Sequence, residues 1–385
     1  MENFTYHNPV KIVFGKGMIA ELPKLVPAAA RVLLTYGGGS IKRNGVYDQV
    51  AAALKGRTLT EFGGIEANPS YETLMRAVEQ ARRDGCDFLL AVGGGSVIDG
   101  TKFIAAALPW TAGDPWRILS EQAPVPAAVP LGVVLTLPAT GSEMNSTAVV
   151  SRLATHEKLF FSNEQVYPKF SILDPETTYS LPPRQVANGI VDTFVHVTEQ
   201  YLTFPVGAPL QERQAEAILS TLVEAAPKVV ATPRDYEVRA NLMWCATHGL
   251  NGIIGLGVPQ DWATHMIGHE LTAFYGLDHG QTLAVILPGV LRAEAVSKQA
   301  MLVQYGRRVW GLTGSDPAAL AEAAIAKTEA FFEAVGVPTH LSAYGVNAGE
   351  AAEKIRARLA ERGQAFGEHA DITPDRVAAI IRSRA

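Results

Sequence analysis

The feature that most constrains this chain is a change of pattern near residue 178. Before it, short β-branched runs alternate with helical segments; after it, strand signals stop and helical segments follow one another. Arg31 to Tyr36 reads as a strand leading into Gly37-Gly38-Gly39-Ser40, then a helix through about Leu54 and a strand from Thr58 to Phe62. Asn68-Pro69-Ser70 introduces an amphipathic helix over 71–84, with Ser70 as its N-cap. Asp87 to Val92 is nearly all apolar, as a strand covered on both faces should be, and runs into Gly93-Gly94-Gly95-Ser96 and a helix through Leu108. Val129 to Leu137 is a further strand, 147–153 and 158–161 form a hairpin, and Phe170 to Leu173 is the last strand. This alternation predicts a parallel sheet with helices on both sides over 1–178. An all-helical domain over 179–385 follows, with helices near 183–203, 208–229, 235–255, 260–274, 280–296, 317–335, 348–362 and 373–383.

The helical half carries a concentration of metal-ligating residue types. Asp192-Thr-Phe-Val-His196 and His265-Met-Ile-Gly-His269 each place two such side chains at i, i+4, one turn apart on one helix face, and His279 follows in Gly-Leu-Asp-His-Gly. A single His-x₃-His on a helix is weak grounds for a site. The order His-Met-Ile-Gly-His-Glu also excludes the metalloprotease signature, which needs Glu directly after the first His. What favours a metal is the apolar setting, where an imidazole needs a partner to offset its desolvation. One carboxylate and several imidazoles suit Fe²⁺ or Zn²⁺ and leave room for a substrate oxygen. His248 has no partner at ligand spacing and reads as structural.

In the α/β half, both Gly-Gly-Gly-Ser segments follow a strand and are expected to open a helix. Glycines let a backbone approach a phosphate, and the free N–H groups of a helix N-terminus attract the anion. Neither segment is the Gly-x-Gly-x-x-Gly fingerprint, and one Gly-rich strand–helix turn is often only a tight turn. Two of them beside Thr136, Thr140 and Ser142 make a phosphate-binding mouth.

Taken with Phe-Gly-Lys-Gly at 14–17, Asn68-Pro69, Thr-Gly-Ser-Glu at 140–143, Leu-Pro-Pro-Arg-Gln at 181–185 and Pro-Gln-Asp-Trp at 259–262, these motifs resemble the iron-containing (group III) alcohol dehydrogenases. The likeness spans nearly the whole chain and is nearest the butanol-dehydrogenase-like branch, which includes broad-range NADPH-dependent aldehyde reductases. It implies a dehydroquinate synthase-like fold: a nucleotide-binding α/β domain followed by a metal-binding helical domain. It also implies hydride transfer between a nicotinamide and a metal-polarised carbonyl in a cleft between the domains. The metal ligands it implies are Asp192, His196, His265 and His279, but not His269. Gly94, Gly95 and Ser96 match the pyrophosphate loop, and Gly38, Gly39 and Ser40 the region that meets the adenosine ribose. Asn68, Thr136, Thr140, Ser142, Lys158, Tyr179 and Leu181 match further cofactor-lining positions. The catalytic candidates are Asp99, near ribose and nicotinamide, and His269, which either relays a proton or is a hydrogen-bonded wall residue. Lys158 reads equally well as a solvated strand residue.

A chain of 385 residues with 48% hydrophobic content suffices for two cores. A net charge of −5 with scattered basic residues gives no nucleic-acid footprint. No basic start followed by an apolar run, no membrane-length apolar stretch and only Cys86 and Cys245 suggest a reduced, cytoplasmic protein. The family suggests a homodimer. A metal-dependent hydrolase would leave both glycine loops unexplained, and a glycerol dehydrogenase-like polyol dehydrogenase fits the ligand set less well. Asn145, Phe160, Phe161, Ile253, Leu256 and Tyr275 are candidates to line a pocket for small aldehydes or alcohols. For the coenzyme, NAD-preferring enzymes usually place an acid at a strand end to bind the ribose 2′-OH. The turn Tyr36-Gly-Gly-Gly-Ser-Ile-Lys-Arg43 has no acid before Asp48, while Lys42 and Arg43 make the local field positive, so NADP(H) is expected.

Overall fold

The computed structural model describes residues 1–385. The chain divides into two compact units: His7–Pro182 with Pro233–Thr247, and Pro183–Thr232 with His248–Ala385 and Met1–Tyr6. The division is therefore not a single cut near 178.

The first unit is built on six parallel strands: β1 (Lys11–Phe14), β2 (Arg31–Thr35), β3 (Thr58–Phe62), β4 (Phe88–Gly94), β5 (Leu131–Leu137) and β8 (Phe170–Leu173), in the order β1-β8-β5-β4-β2-β3. Between β5 and β8 in sequence, β6 (Thr147–Arg152) and β7 (Glu157–Ser162) make the expected antiparallel hairpin. Alternation along β4 explains its apolar run: Leu89 and Ala91 enter one buried cluster, while Phe88, Leu90 and Val92 enter another. The helices of this unit are α1 (Leu22–Leu25), α2 (Val46–Ala53), α3 (Tyr71–Asp84), α4 (Gly95–Ala107), α5 (Arg117–Ser120) and most of α8 (Tyr236–Gly249). Residues of α3 and α4 pack in the first cluster and residues of α1 and α2 in the second, so the sheet is covered on both faces. Ser70 caps α3 as expected, its hydroxyl accepting from the Thr73 N–H at 3.3 Å.

One strand escaped the sequence reading, and one expectation needs correction. β1 is an edge strand of only four residues, too short and too mixed in burial to announce itself. The first glycine loop opens only a 3₁₀ turn, Ser40–Lys42; Gly45, at φ 83°, breaks the path before α2.

The second unit is helical: α6 (Pro183–Tyr201), α7 (Pro209–Ala231), the end of α8 (Tyr236–Gly249), α9 (Ala263–Tyr275), α10 (His279–Ala293), α11 (Gln299–Arg308), α12 (Pro317–Ala334), α13 (Ala348–Glu361) and α14 (Pro374–Arg382). α11 was not among the expected helices, although Met301, Leu302 and Tyr305 are buried at helical spacing. Its Gly306, a poor helix residue, sits in a close helix contact: a Cβ there would lie 3.2 Å from the Ala324 Cβ on α12.

Candidate functional site

In the helical unit, three helices bring three of the four expected ligands, Asp192, His265 and His279, to one point. On α6, Asp192, His196 and Glu199 stand at i, i+4 and i+7, hence on one face, and all three are buried. On α9, His265 lies in the first turn, just after the N-cap Trp262, which takes a left-handed φ of 61°. So bulky a residue rarely adopts that conformation, which marks a constrained segment. The Asp261 carboxylate accepts from the Ala263 N–H at 2.9 Å and pairs with the buried Lys298 at 2.8 Å, fixing where α9 begins. His279 is the first residue of α10, whose start is fixed by a capping box between Asp278 and Gln281. Asp278 also accepts from Asn188 on α6 at 2.8 Å, and a Cβ on Gly280 would lie 2.7 Å from the Asn188 carbonyl oxygen. Only glycine permits that approach.

One oxygen of Asp192, the Nε2 of His265 and a ring nitrogen of His279 all lie within 4.8 Å of one another. Asp192 Oδ1 stands 3.8 Å from His265 Nε2, 3.6 Å from His279 Nε2 and 3.3 Å from His196 Nδ1. His196 adjoins this group of three, its ring centroid 4.4 Å from that of His265. Asp192 Oδ1, His196 Nδ1 and His265 Nε2 are all buried without a hydrogen-bond partner. Three orphaned polar atoms facing one spot would be costly in a packed interior. A divalent cation held by carboxylate and imidazole would satisfy them together, so the residues fit the metal. In the metal-free protein, burial pushes the His196 imidazole down to about 4, only partly opposed by Asp192. Burial acts the same way on His265, but the charge of Glu199 and the contacts with Asp192 and Glu199 outweigh it and carry that ring up to about 9. His269 is buried beside the group, with ring centroids 6.4 Å from His265 and 5.5 Å from His279, and is not one of the three. His248 bonds Asn251 at 3.4 Å, outside the cluster.

In the α/β unit, the expected cofactor residues follow the C-terminal ends of parallel strands. Gly93–Ser96 spans the end of β4 and the start of α4, and Thr136–Ser142 closes and follows β5. The chain order reverses between β2 and β4, so the switch point, the usual binding position in an open α/β sheet, lies between the first glycine loop, which follows β2, and the second, which ends β4. The glycines serve packing first. A Cβ on Gly94 would sit 2.8 Å from the Leu137 Cβ, and one on Gly95 would sit 2.5 Å from Thr140 Oγ1. They seat the start of α4, which no side chain caps, against the loop after β5. Asn68, Ser96 and Lys158 come together: Lys158 Nζ donates to Asn68 Oδ1 at 2.9 Å, and the Asn68 N–H donates to Ser96 Oγ at 3.3 Å. Lys158 is buried and hydrogen-bonded, which removes the solvated reading. Tyr179 and Leu181 sit half-buried on the turn after β8.

Asp99 is buried with both oxygens engaged, one by Ser142 Oγ at 2.6 Å and the other by the Val149 N–H at 3.0 Å. The wholly buried Lys102 completes this network, donating to Ser142 Oγ at 2.9 Å, Asn145 Oδ1 at 2.9 Å and the Thr147 carbonyl at 2.8 Å. Burial pushes its ammonium down to about 8 despite Asp99 and Glu143. Asn145 thus has its side-chain oxygen committed inside the fold, and Phe161 belongs to the α/β core. At the first glycine loop, Lys42 is spent on Glu61 at 2.7 Å and lies over the rings of Tyr36 and Tyr47. An acid therefore does stand beside this turn, contributed by β3, but Lys42, Tyr36 and Tyr47 all bond it. Gly38 and Ser40 are exposed, and Arg43 is an exposed cation without an ion pair. Sequence reading missed Glu199, Lys102 and Glu143. For Glu199 the signal was present in its i+7 spacing from Asp192.

Comparison with known proteins gives two family matches: "Iron-containing alcohol dehydrogenase" over residues 9–175 and "Fe-containing alcohol dehydrogenase family, C-terminal" over 186–385. The chain is 57% identical over 379 residues to the NADPH-dependent aldehyde reductase YqhD of Escherichia coli K12, covering 97% of each. It is 40% identical to a probable NADH-dependent butanol dehydrogenase of Bacillus subtilis, with both chains covered in full. The crystal structure of E. coli YqhD superposes with a TM-score of 0.98 at 54% identity, covering 100% of this chain and 99% of that one.

Proposed function

The chain belongs to the iron-containing alcohol dehydrogenase family, and on that premise we propose that it is an NADPH-dependent reductase of small aldehydes, acting in reverse as an alcohol dehydrogenase. The observation that carries this reading is the cluster of orphaned, buried carboxylate and imidazole atoms in the helical unit, combined with uncapped, glycine-seated α4 in the other. When bound, a divalent cation supplies Lewis acidity at a carbonyl oxygen and the nicotinamide supplies hydride. Asp192, His196, His265 and His279 hold the cation, and Gly94, Gly95 and Ser96 offer backbone and hydroxyl donors to the pyrophosphate. Asn68, Thr136, Thr140, Lys158, Tyr179 and Leu181 complete the dinucleotide site. Asp99 acts by fixing Ser142 and the loop after β5, since both its oxygens are already occupied. His269, buried beside the cluster, is positioned to hold and pass a proton to an alkoxide oxygen.

Relatives named for NADPH and for NADH both lie within the family, so coenzyme choice rests on the first glycine loop. Open space at Gly38, the Ser40 hydroxyl and the unpaired Arg43 suit a 2′-phosphate, and the one nearby acid, Glu61, is neutralised. Buried, unbridged Cys86 and Cys245 suit a reducing cytoplasm. The open edge of β1, with Phe14 exposed, suits pairing with a second copy, which light scattering would detect as a dimer. The reading is tested by following NADPH absorbance with a panel of simple aldehydes. Aldehyde-dependent oxidation is expected, and none with any aldehyde would overturn the reading.

A further inference from the structure

We propose that Glu199 is the positioning residue that sets the tautomer of His265 and thereby makes it a ligand; this rests on the metal site described above. Glu199 is 3% exposed and lies on α6, two turns after Asp192. Its two oxygens are divided between two donors on α9: Oε1 accepts from the Thr264 N–H at 2.6 Å, and Oε2 pairs with His265 Nδ1. Its main-chain oxygen accepts from the Asp261 N–H at 2.9 Å, so the same residue also ties down the start of α9.

The chemistry of this arrangement demands a carboxylate. Both contacts need an acceptor, and an ionised Glu is acceptor-only at both oxygens. With the Nδ1–H donated to Glu199, the neutral His265 ring carries its lone pair on Nε2, the atom that faces Asp192 Oδ1 at 3.8 Å. Carboxylate–imidazole pairs of this kind orient metal-binding histidines and raise their basicity. Glutamine, though isosteric, offers one acceptor and one donor. If its oxygen keeps the Thr264 N–H, its NH₂ faces His265 Nδ1 and forces the proton onto Nε2, aiming a proton and not a lone pair at the metal position. No neighbour of Glu199 on α6 could substitute, because His196 and Asp192 face the cluster themselves.

The test uses the full-length protein, stripped of metal and titrated with Co²⁺, whose visible absorption reports ligation independently of turnover. Glu199→Gln is expected to weaken Co²⁺ binding about 10–100-fold. In ¹⁵N-histidine spectra of the metal-free proteins, recorded at a pH high enough that the ring is neutral, His265 should be the Nδ1–H tautomer in the wild type and the Nε2–H tautomer in Glu199→Gln. Glu199→Asp keeps two acceptor oxygens and should lose less affinity than Glu199→Gln, while His248→Gln, outside the cluster, should bind as the wild type does. Wild-type affinity in Glu199→Gln, or weakened binding with the His265 tautomer unchanged, overturns the proposal. So does an Asp variant that binds no better than the Gln variant, a comparison that stands even if glutamine impairs folding. If the wild type itself takes up no Co²⁺, the metal reading fails and not the role of Glu199 alone.

Discussion

Replacing Lys102 with Met probes the network beneath the dinucleotide loops. Lys102 has no exposed surface, and its ammonium makes three hydrogen bonds that tie α4 to Ser142, Asn145 and the start of β6. Truncating one partner of a buried charge cluster typically costs about 3–5 kcal/mol. Here Asp99 and Glu143 would stay buried without their cation. Two effects pull the cost toward the lower end. Methionine keeps most of the stem volume, and the displacement of the ammonium from 10.5 to about 8 means that roughly 3 kcal/mol already opposes the charged form. A net loss of about 3 kcal/mol, at about 2–4 °C per kcal/mol, lowers the melting temperature by roughly 6–12 °C. The pH dependence has a definite sign. Because the folded-state value lies below 10.5, the unfolded chain binds more protons between pH 8 and 10.5, and this lysine makes the wild type gain stability as pH rises through that window. The gap between wild type and Lys102→Met should therefore widen from neutral pH upward. Calorimetry or circular dichroism melts across that range decide the matter. A variant that melts with the wild type, or a gap that narrows as pH rises, would refute the reasoning.

Two further outcomes follow from the same geometry. His269→Ala should retain its metal while kcat falls and the pH–rate profile changes shape; full metal with an unaltered profile would make His269 a wall residue only. Gly39→Asp introduces a carboxylate where φ is 80°, a conformation Asp tolerates better than most residues, and should weaken NADPH binding and narrow or reverse the preference over NADH. Equal kcat/KM for the two coenzymes in the unmutated protein would show that the turn does not set the choice.

What was legible in the sequence was what repeats locally. The apolar run of β4, the Ser70 cap and the helical spacing of Asp192 with His196 each follow from a few residues close together in sequence, and each appears in the structure. What escaped depends on contacts remote in sequence. Nothing near Lys42 reveals that Glu61, on the neighbouring strand, neutralises it. Nothing near Asn145 reveals the ammonium of Lys102 that engages its oxygen. β1 was lost because a four-residue edge strand carries too little pattern, and α11 because Gly306 and a short loop disguised its period. The glycines of 93–95 were legible as a loop, but their reason lies in the approach of Leu137 and Thr140, which only the fold brings near.

The most direct test of the central claim is to strip the protein of metal and add back Fe²⁺ or Zn²⁺ while following NADPH oxidation with a simple aldehyde. Turnover should be absent in the stripped protein, rise with added metal to a plateau at one ion per chain, and fail to return in His265→Ala, which should hold no ion. Full turnover without metal, or a His265→Ala protein that binds one ion and works normally, would contradict a metal-held carbonyl at Asp192, His196, His265 and His279.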